Sequence, residues 1–302
     1  MKADDLTARI IELKSRRNAV ILAHNYQLAE VQDIADFVGD SLELSRKAAE
    51  TDADVIVFCG VHFMAETAKI LSPHKTVLLP DPRAGCPMAD MIDVARLREF
   101  KARYPGLPVV AYVNTTADVK AESDICCTSA NAVKVVESLD APAVLFVPDK
   151  CLGAYVASRT SKRIVLYPGY CPTHHRILPE YVLEQKAAHP DAVVIAHPEC
   201  TPEVLALTDV IASTSGIVRH IAQSEEAEFI VCTERGLMHR LQQDNPNKRF
   251  YNPGNLNICP NMKKITLEKV AWSLQDMVYS IEVPEDIIRK ARAAIDGMVG
   301  IG

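Results

Sequence analysis

The sequence predicts an α/β protein made of three homologous three-layer α/β units arranged about a pseudo-threefold axis, and two recurrences carry that prediction. The first is chemical. Cys86-Pro87, Cys171-Pro172 and Cys259-Pro260 are spaced 85 and 88 residues apart, while Cys59, Cys126, Cys127, Cys151, Cys200 and Cys232 are never followed by proline. With 18 prolines in 302 residues, chance would give nine cysteines only about half of one such pair. The second recurrence is in the chain around them. Residues 19–26 (AVILAHNY), 108–114 (PVVAYVN) and 192–199 (AVVIAHPE) are apolar runs of buried-strand type that end in polar groups, and aligning His24, Tyr112 and His197 gives steps of 88 and 85.

The remaining elements follow in the same order in each copy. A hydroxyl stands seventeen residues after the aligned position, at Ser41, Ser129 and Thr214, and a second apolar strand is expected at 55–60, 143–148 and 228–233. Third strands (TVLLP, RIVLYP, KRFYNP) run into the loops that carry the Cys-Pro pairs, and helix-like stretches such as 91–103 and 266–279 come after those loops. The expected organisation is an N-terminal helix (1–18), α/β repeats over 19–105, 106–190 and 191–281, and a C-terminal helix or tail (282–302). Corresponding loops of three such units should converge, bringing the three distant sulfurs together.

Composition narrows the class. Hydrophobic content of 48%, charged content of 24% and a net charge of −6 describe an ordinary globular chain with no basic bias toward nucleic acid. The start, MKADDLTARIIELKSRRN, lacks the apolar region of a signal peptide, and no apolar run has membrane-spanning length, so a cytoplasmic protein is expected. Nine cysteines in that setting point to thiols, metal ligands or catalysis rather than a disulfide frame.

Three thiolates suit structural zinc poorly, since zinc prefers four ligands, often at C-x2-C spacing, which is absent here. A cubane iron–sulfur cluster on three cysteines would leave one iron open to a substrate oxygen. Ser41, Ser129 and Thr214 precede helix-like stretches and are expected as N-caps, three helix ends that together would bind acidic substrates. His24, Asn25, Tyr26, Tyr112, Asn114, His197 and Glu199 fall at strand ends, where ligands of open parallel sheets bind. His174, three residues past Cys171, is a further candidate donor; His62 and His239 are assigned no role. GxxxxGK[ST], GxGxxG and GxSxG are absent, which disfavours nucleotide hydrolysis and serine-hydrolase chemistry. A zinc scaffold, an iron–sulfur sensor and an iron–sulfur hydro-lyase acting on another acid stay open on the residues alone.

AHNYQ with GDSLELS, AGCPMAD, AYVNTTADVKAESDICCTSAN, PGYCPTH, AHPEC, STSG and ICPNMKK together closely resemble the quinolinate synthase family along almost the full chain. That resemblance implies three α/β domains around a central [4Fe-4S] cluster held by Cys86, Cys171 and Cys259. It implies condensation of iminosuccinate with dihydroxyacetone phosphate to quinolinate in de novo NAD synthesis. It also implies possible transient contact with the enzyme that supplies iminosuccinate, and no nucleic-acid or membrane partner. Substrate contacts would be His24, Ser41, Tyr112, Asn114, Ser129, His174, His197, Glu199 and Thr214. Tyr26 and Glu199, with His24 and His197, would handle protons. Longer family members carry further cysteines near the last ligand; none follows Cys259 here, which argues against a redox-switch disulfide.

Overall fold

Each unit is a four-stranded, wholly parallel sheet, and the computed structural model describes residues 3–301. The first two residues of the expected N-terminal helix and the last residue of the expected C-terminal segment lie outside the described residues. Unit one holds β1 (Ala19–His24), β2 (Phe37–Gly39), β3 (Val55–Cys59) and β4 (Thr76–Leu78). Unit two holds β5 (Val109–Tyr112), β6 (Ile125–Cys127), β7 (Ala143–Val147) and β8 (Arg163–Leu166). Unit three holds β9 (Val193–Ala196), β10 (Val210–Ile211), β11 (Glu228–Cys232) and β12 (Arg249–Tyr251). The spatial orders are β2-β1-β3-β4, β6-β5-β7-β8 and β10-β9-β11-β12, one topology repeated.

Register repeats as well. Leu22 opposes Phe58 in unit one, Val110 opposes Phe146 in unit two, and Ile195 opposes Val231 in unit three, at equivalent positions of the sequence repeat. β3 and β7 are buried along their whole length, as expected of Val- and Phe-rich strands covered on both faces.

The sequence reading placed three strands in each unit, and the structure adds a fourth. β2, β6 and β10 have only two or three residues, too few to show a hydrophobic period. What fixes them is an aspartate just before each one. Asp36 Oδ2 accepts from the Ile21 N–H at 2.8 Å, Asp124 Oδ2 from Val109 at 2.7 Å, and Asp209 Oδ2 from Val194 at 2.8 Å. The backbone N–H of each aspartate donates back to the carbonyl of the same partner, at 2.9, 3.1 and 2.9 Å. Each short strand is thus stapled to its central neighbour before the ladder begins.

Two helices lie outside the repeat. Ala3–Arg16 packs on β1 and on the helix Leu267–Asp276, so the chain's start and unit three's last helix both cover unit one. Glu285–Gly300 packs across helices of units one and two, and its end is gripped by Asn131, whose amide donates to the carbonyls of Met298 (2.9 Å) and Ile301. Among the described residues, no helix is long and apolar enough to cross a membrane.

Asp124→Ala removes a charge-assisted acceptor from a partly buried N–H and should cost about 1–3 kcal/mol. The expected result is a thermal midpoint several degrees below the parent's; an unchanged midpoint would show that the staple contributes nothing.

Candidate active site

Parallel pairing sends every loop that follows a strand to the same side of its sheet, and in all three units that side faces one common cavity. Thirteen of the fourteen residues proposed from the sequence line it: His24, Tyr26, Ser41 and Cys86 from unit one; Tyr112, Asn114, Ser129, Cys171 and His174 from unit two; His197, Glu199, Thr214 and Cys259 from unit three; Asn25 instead lines a separate pocket with Phe37 and Arg219. The three Cys-Pro thiols therefore meet, whereas the other six cysteines are buried away from the cavity lining.

Each of the three sulfurs sits at the mouth of a short 3-10 turn, Ala89–Met91, His174–Arg176 or Met262–Lys264. Burial pushes the Cys86 thiol up to about 12, and the backbone N–H groups of Ala89 and Met88 act against that. Burial raises Cys171 and Cys259 too, opposed by the N–H of His174 at the former and those of Met262 and Asn261 at the latter. The same N–H groups would stabilise thiolate sulfur bound to a metal centre. Three such thiols fit an iron–sulfur cluster that keeps one iron free of a protein ligand. Cys171, His174 and Glu199 also place sulfur, nitrogen and oxygen donors within 4.8 Å of one another, a set able to hold a single metal ion.

The cavity's acid–base groups form one connected chain. The Tyr112 hydroxyl donates to Glu199 Oε1 at 2.6 Å, and Nδ1 of His174 lies 2.6 Å from Glu199 Oε2. Burial alone would push the Glu199 carboxyl up; the His174 and His197 rings and the Tyr112 hydroxyl outweigh it and hold Glu199 well below the usual carboxylate range. Tyr26 bonds to Thr233 Oγ1 at 2.6 Å and Thr214 Oγ1 at 3.1 Å. Burial, and next the Glu199 charge, push Tyr26 and Tyr112 well above the ordinary phenol value.

His24 and His197 occupy equivalent places and are held alike. Nδ1 of His24 accepts the Tyr26 N–H at 3.1 Å, and Nδ1 of His197 accepts the Glu199 N–H at 3.3 Å. In both neutral rings the proton is then on Nε2, and that of His197 reaches Ser129 Oγ at 3.1 Å. Burial lowers both rings to about 3. Among the described residues neither lysine nor arginine lines the cavity, so an anion held here would rest on hydroxyls, imidazole N–H groups and the Asn114 amide.

The expected helix caps are displaced by one or two residues. Asp40 caps the helix Ser41–Glu50, accepting from Leu42 at 3.0 Å and Glu43 at 3.1 Å in a complete capping box. Ser213 caps Thr214–Gln223, and Asn131 stands at the cap of Ala132–Ser138, two residues beyond Ser129. Asp40 and Ser213 take up the first helical N–H groups in units one and three. There Ser41 and Thr214 are free to present hydroxyls to the cavity rather than cap.

Sequence reasoning missed five supporting residues. Glu234, fully buried, accepts the Cys259 N–H at 2.9 Å through Oε1 and the Gly236 N–H at 2.6 Å through Oε2. Lys263 pairs with Glu234 at 3.1 Å and donates to the Tyr26 carbonyl, which ties unit three's ligand loop to unit one. Gly236 is needed in that junction because a Cβ there would lie 2.6 Å from Lys263 Nζ and 2.9 Å from the Tyr26 backbone. Asp149 accepts from the Cys151 and Leu152 N–H groups beside unit two's ligand loop, and burial pushes its carboxyl well up. Thr233 joins the acid–base chain. Glu234 and Asp149 stand at matching repeat positions two residues past β11 and β7, and that alignment was the available signal.

Three parallel-sheet units that each deliver one thiol to a shared buried cavity, beside a connected set of proton carriers, define a class: a three-unit protein built around a tri-cysteine centre. Residues 8–300 match the family model described as NadA, Quinolinate synthetase A protein. Similar proteins named quinolinate synthase include one from Dehalococcoides mccartyi, 60% identical over 301 residues and covering 100% of both chains. Others come from Methanosarcina acetivorans (quinolinate synthase 1, 56% identical) and Geobacter metallireducens (54%), each aligned over 100% of this chain and 99% of its own. The chain belongs to the quinolinate synthase family.

His24 and His197 have folded pKa values of about 3 against an ordinary 6.5. Between those values the unfolded chain binds more protons than the folded one. Stability is therefore fully present above about pH 6.5 and falls as pH drops below it, by up to about 1.4 kcal/mol per pH unit for each ring. His24→Gln should lose less stability than the parent between about pH 7 and about pH 5 in denaturant unfolding; parallel losses would mean that His24 protonates within the fold.

Proposed function

We propose that this protein condenses iminosuccinate with dihydroxyacetone phosphate, giving quinolinate, phosphate and water for de novo NAD synthesis in the cytoplasm. The observation that carries this reading is the meeting of Cys86, Cys171 and Cys259 with Tyr26, Tyr112, His174 and Glu199 in one cavity. Membership of the quinolinate synthase family supports it.

Cys86, Cys171 and Cys259 would hold a [4Fe-4S] cluster, which when bound supplies Lewis-acid chemistry from the iron that lacks a protein ligand. The chain's own groups divide the other tasks. Ser41, Ser129 and Thr214 hydrogen-bond the substrate carboxylates and the phosphate. His24 and His197 each present Nε2–H as a fixed neutral donor, suited to polarising a carbonyl or imine. Glu199, kept ionised and oriented by Tyr112 and His174, removes a proton from the condensing carbon. Tyr26, kept as a phenol by burial, returns a proton where a hydroxyl departs. Loss of phosphate, ring closure and dehydration need no oxidant, in keeping with a cavity whose polar side chains are proton carriers, hydrogen-bonding groups or thiols. Burial of His24, Tyr112, His197 and Glu199 keeps bulk water from a reactive imine. The enzyme that supplies iminosuccinate would then be a transient partner, since a short-lived imine is best received directly.

The deciding experiment is an anaerobic assay of iron-loaded protein with both substrates. Quinolinate formation with phosphate release is expected. Colourless zinc protein, turnover of some other acid without phosphate release, or no quinolinate from intact brown protein would each reject the reading. Cys86→Ala, Cys171→Ala and Cys259→Ala should each abolish the brown chromophore while Cys151→Ala keeps it; equal loss in all four would remove the ligand assignment. Glu199→Gln should retain iron yet lose turnover by about a hundredfold or more, and a near-parent rate would take Glu199 out of the scheme.

A further inference from the structure

We propose that Lys120 is a positioning residue for the reaction described above, an inference that rests on that functional reading: its buried amine holds the turn that aims Asn114 into the cavity. Lys120 is fully buried, which is rare for a lysine and marks a specific contact. Its Nζ donates to the Thr115 carbonyl, one residue past Asn114, and lies 5.4 Å from the centre of the Phe63 ring of unit one. Asn114 and Phe63 both line the cavity, so Lys120 stands behind its wall at the junction of units one and two.

The repeat shows why unit two needs this contact. Tyr26, Asn114 and Glu199 share one aligned slot, two residues past His24, Tyr112 and His197. In units one and three an imidazole Nδ1 accepts the backbone N–H at that slot. The side chains there are also held, Tyr26 by Thr214 and Thr233, and Glu199 by Tyr112 and His174. Unit two has a phenol at Tyr112 in place of the imidazole, and Asn114 Oδ1 is buried without a partner among the described residues. That oxygen is an acceptor available to a substrate donor, and its aim is set by the turn that carries it.

The turn is closed from three directions. Thr115 donates its N–H to the Val113 carbonyl at 2.8 Å and its hydroxyl to the Tyr112 carbonyl at 3.2 Å. Its own carbonyl goes to Lys120, which the helix Ala117–Ala121 brings back to it. Glu66, on the helix His62–Leu71 of unit one, accepts the Ala117 N–H at 3.1 Å through Oε2. Unit one makes the same closure: Gln32, aligned with Lys120, sets Nε2 3.0 Å from the carbonyl of Gln27, which is aligned with Thr115. Unit three has Leu205 at that place, a side chain with nothing to donate. The slot therefore asks for a donor, which lysine and glutamine both supply. Lysine adds a charge, which burial opposes and Glu66 offsets.

The test compares anaerobically prepared, iron-loaded parent with Lys120→Met, which fills the space without a donor, and Lys120→Gln, which supplies the donor that unit one uses. In Lys120→Met the KM of one substrate should rise about tenfold while kcat stays within about threefold, and Lys120→Gln should return KM to within about threefold of the parent. In an Asn114→Ala background Lys120→Met should add less than about twofold, because both changes remove the same contact. A methionine chain with the parent's KM, a glutamine chain no better than the methionine chain, or losses that simply multiply in the double variant each overturn the proposal. Should Lys120→Met alone not fold, Lys120→Met with Glu66→Gln takes its place, since no carboxylate is then left facing a missing cation. If that chain also fails to fold or loses its iron, Lys120 is a folding element and the positioning role falls. Failure of the functional reading shows separately, as a parent that forms no quinolinate. The crystal structure of the methionine chain then decides: a displaced Asn114 side chain is expected, and an unmoved one overturns the proposal.

Discussion

Parallel strand pairing in one shared register is the constraint on which this molecule depends. A parallel sheet has all its carboxyl ends on one edge, so whatever follows each strand must emerge there. Repeating the order second-first-third-fourth in three sheets, with the same residues opposed in each, makes the emerging loops equivalent. Three cysteines more than eighty residues apart in sequence can then share a cavity without any local binding motif. A slip of one residue between β1 and β3 would turn His24 and its neighbours to the opposite face of the sheet, and the site in unit one would be lost.

Inside that cavity, desolvation decides which groups carry charge. The two locked histidines are neutral and the two tyrosines are phenols, because burial opposes ions and few counter-charges are at hand. Glu199 is the exception, since His174 and Tyr112 both bond to its oxygens. A buried carboxylate among uncharged donors is well placed to act as a base. The uncharged donors around it can hold an acidic guest without neutralising the base itself. Glu234 with Lys263 has a different function, closing a buried ion pair over the junction where unit three's ligand loop meets the Tyr26 carbonyl.

Much of this was legible in the chain because spacing survives where composition does not. The 85- and 88-residue steps exposed the units, the long central strands, the cysteine trio and the polar groups at the strand ends. The short outer strands were invisible, since two or three residues have no period and their staples are single aspartates. The hydroxyls were found, but as caps; the capping box of Asp40 and Glu43 shows why the neighbouring aspartate takes that role, having a carboxylate that satisfies two N–H groups at once. Thr233 and Lys263 act through contacts between units, and nothing local in their sequence marks such contacts.

The triplication also sorts the residues by purpose. Where the copies agree, as at Asp36, Asp124 and Asp209 or at the three Cys-Pro turns, the backbone geometry or the shared centre imposes the choice. Where they disagree, as at His24, Tyr112 and His197, or at Gly60, Pro148 and Thr233, the same slot carries different chemistry. Each chain therefore contains its own controls: two sibling positions reveal what any third one needs merely to fold, and the remainder is what asymmetric reactants demand of a symmetric frame.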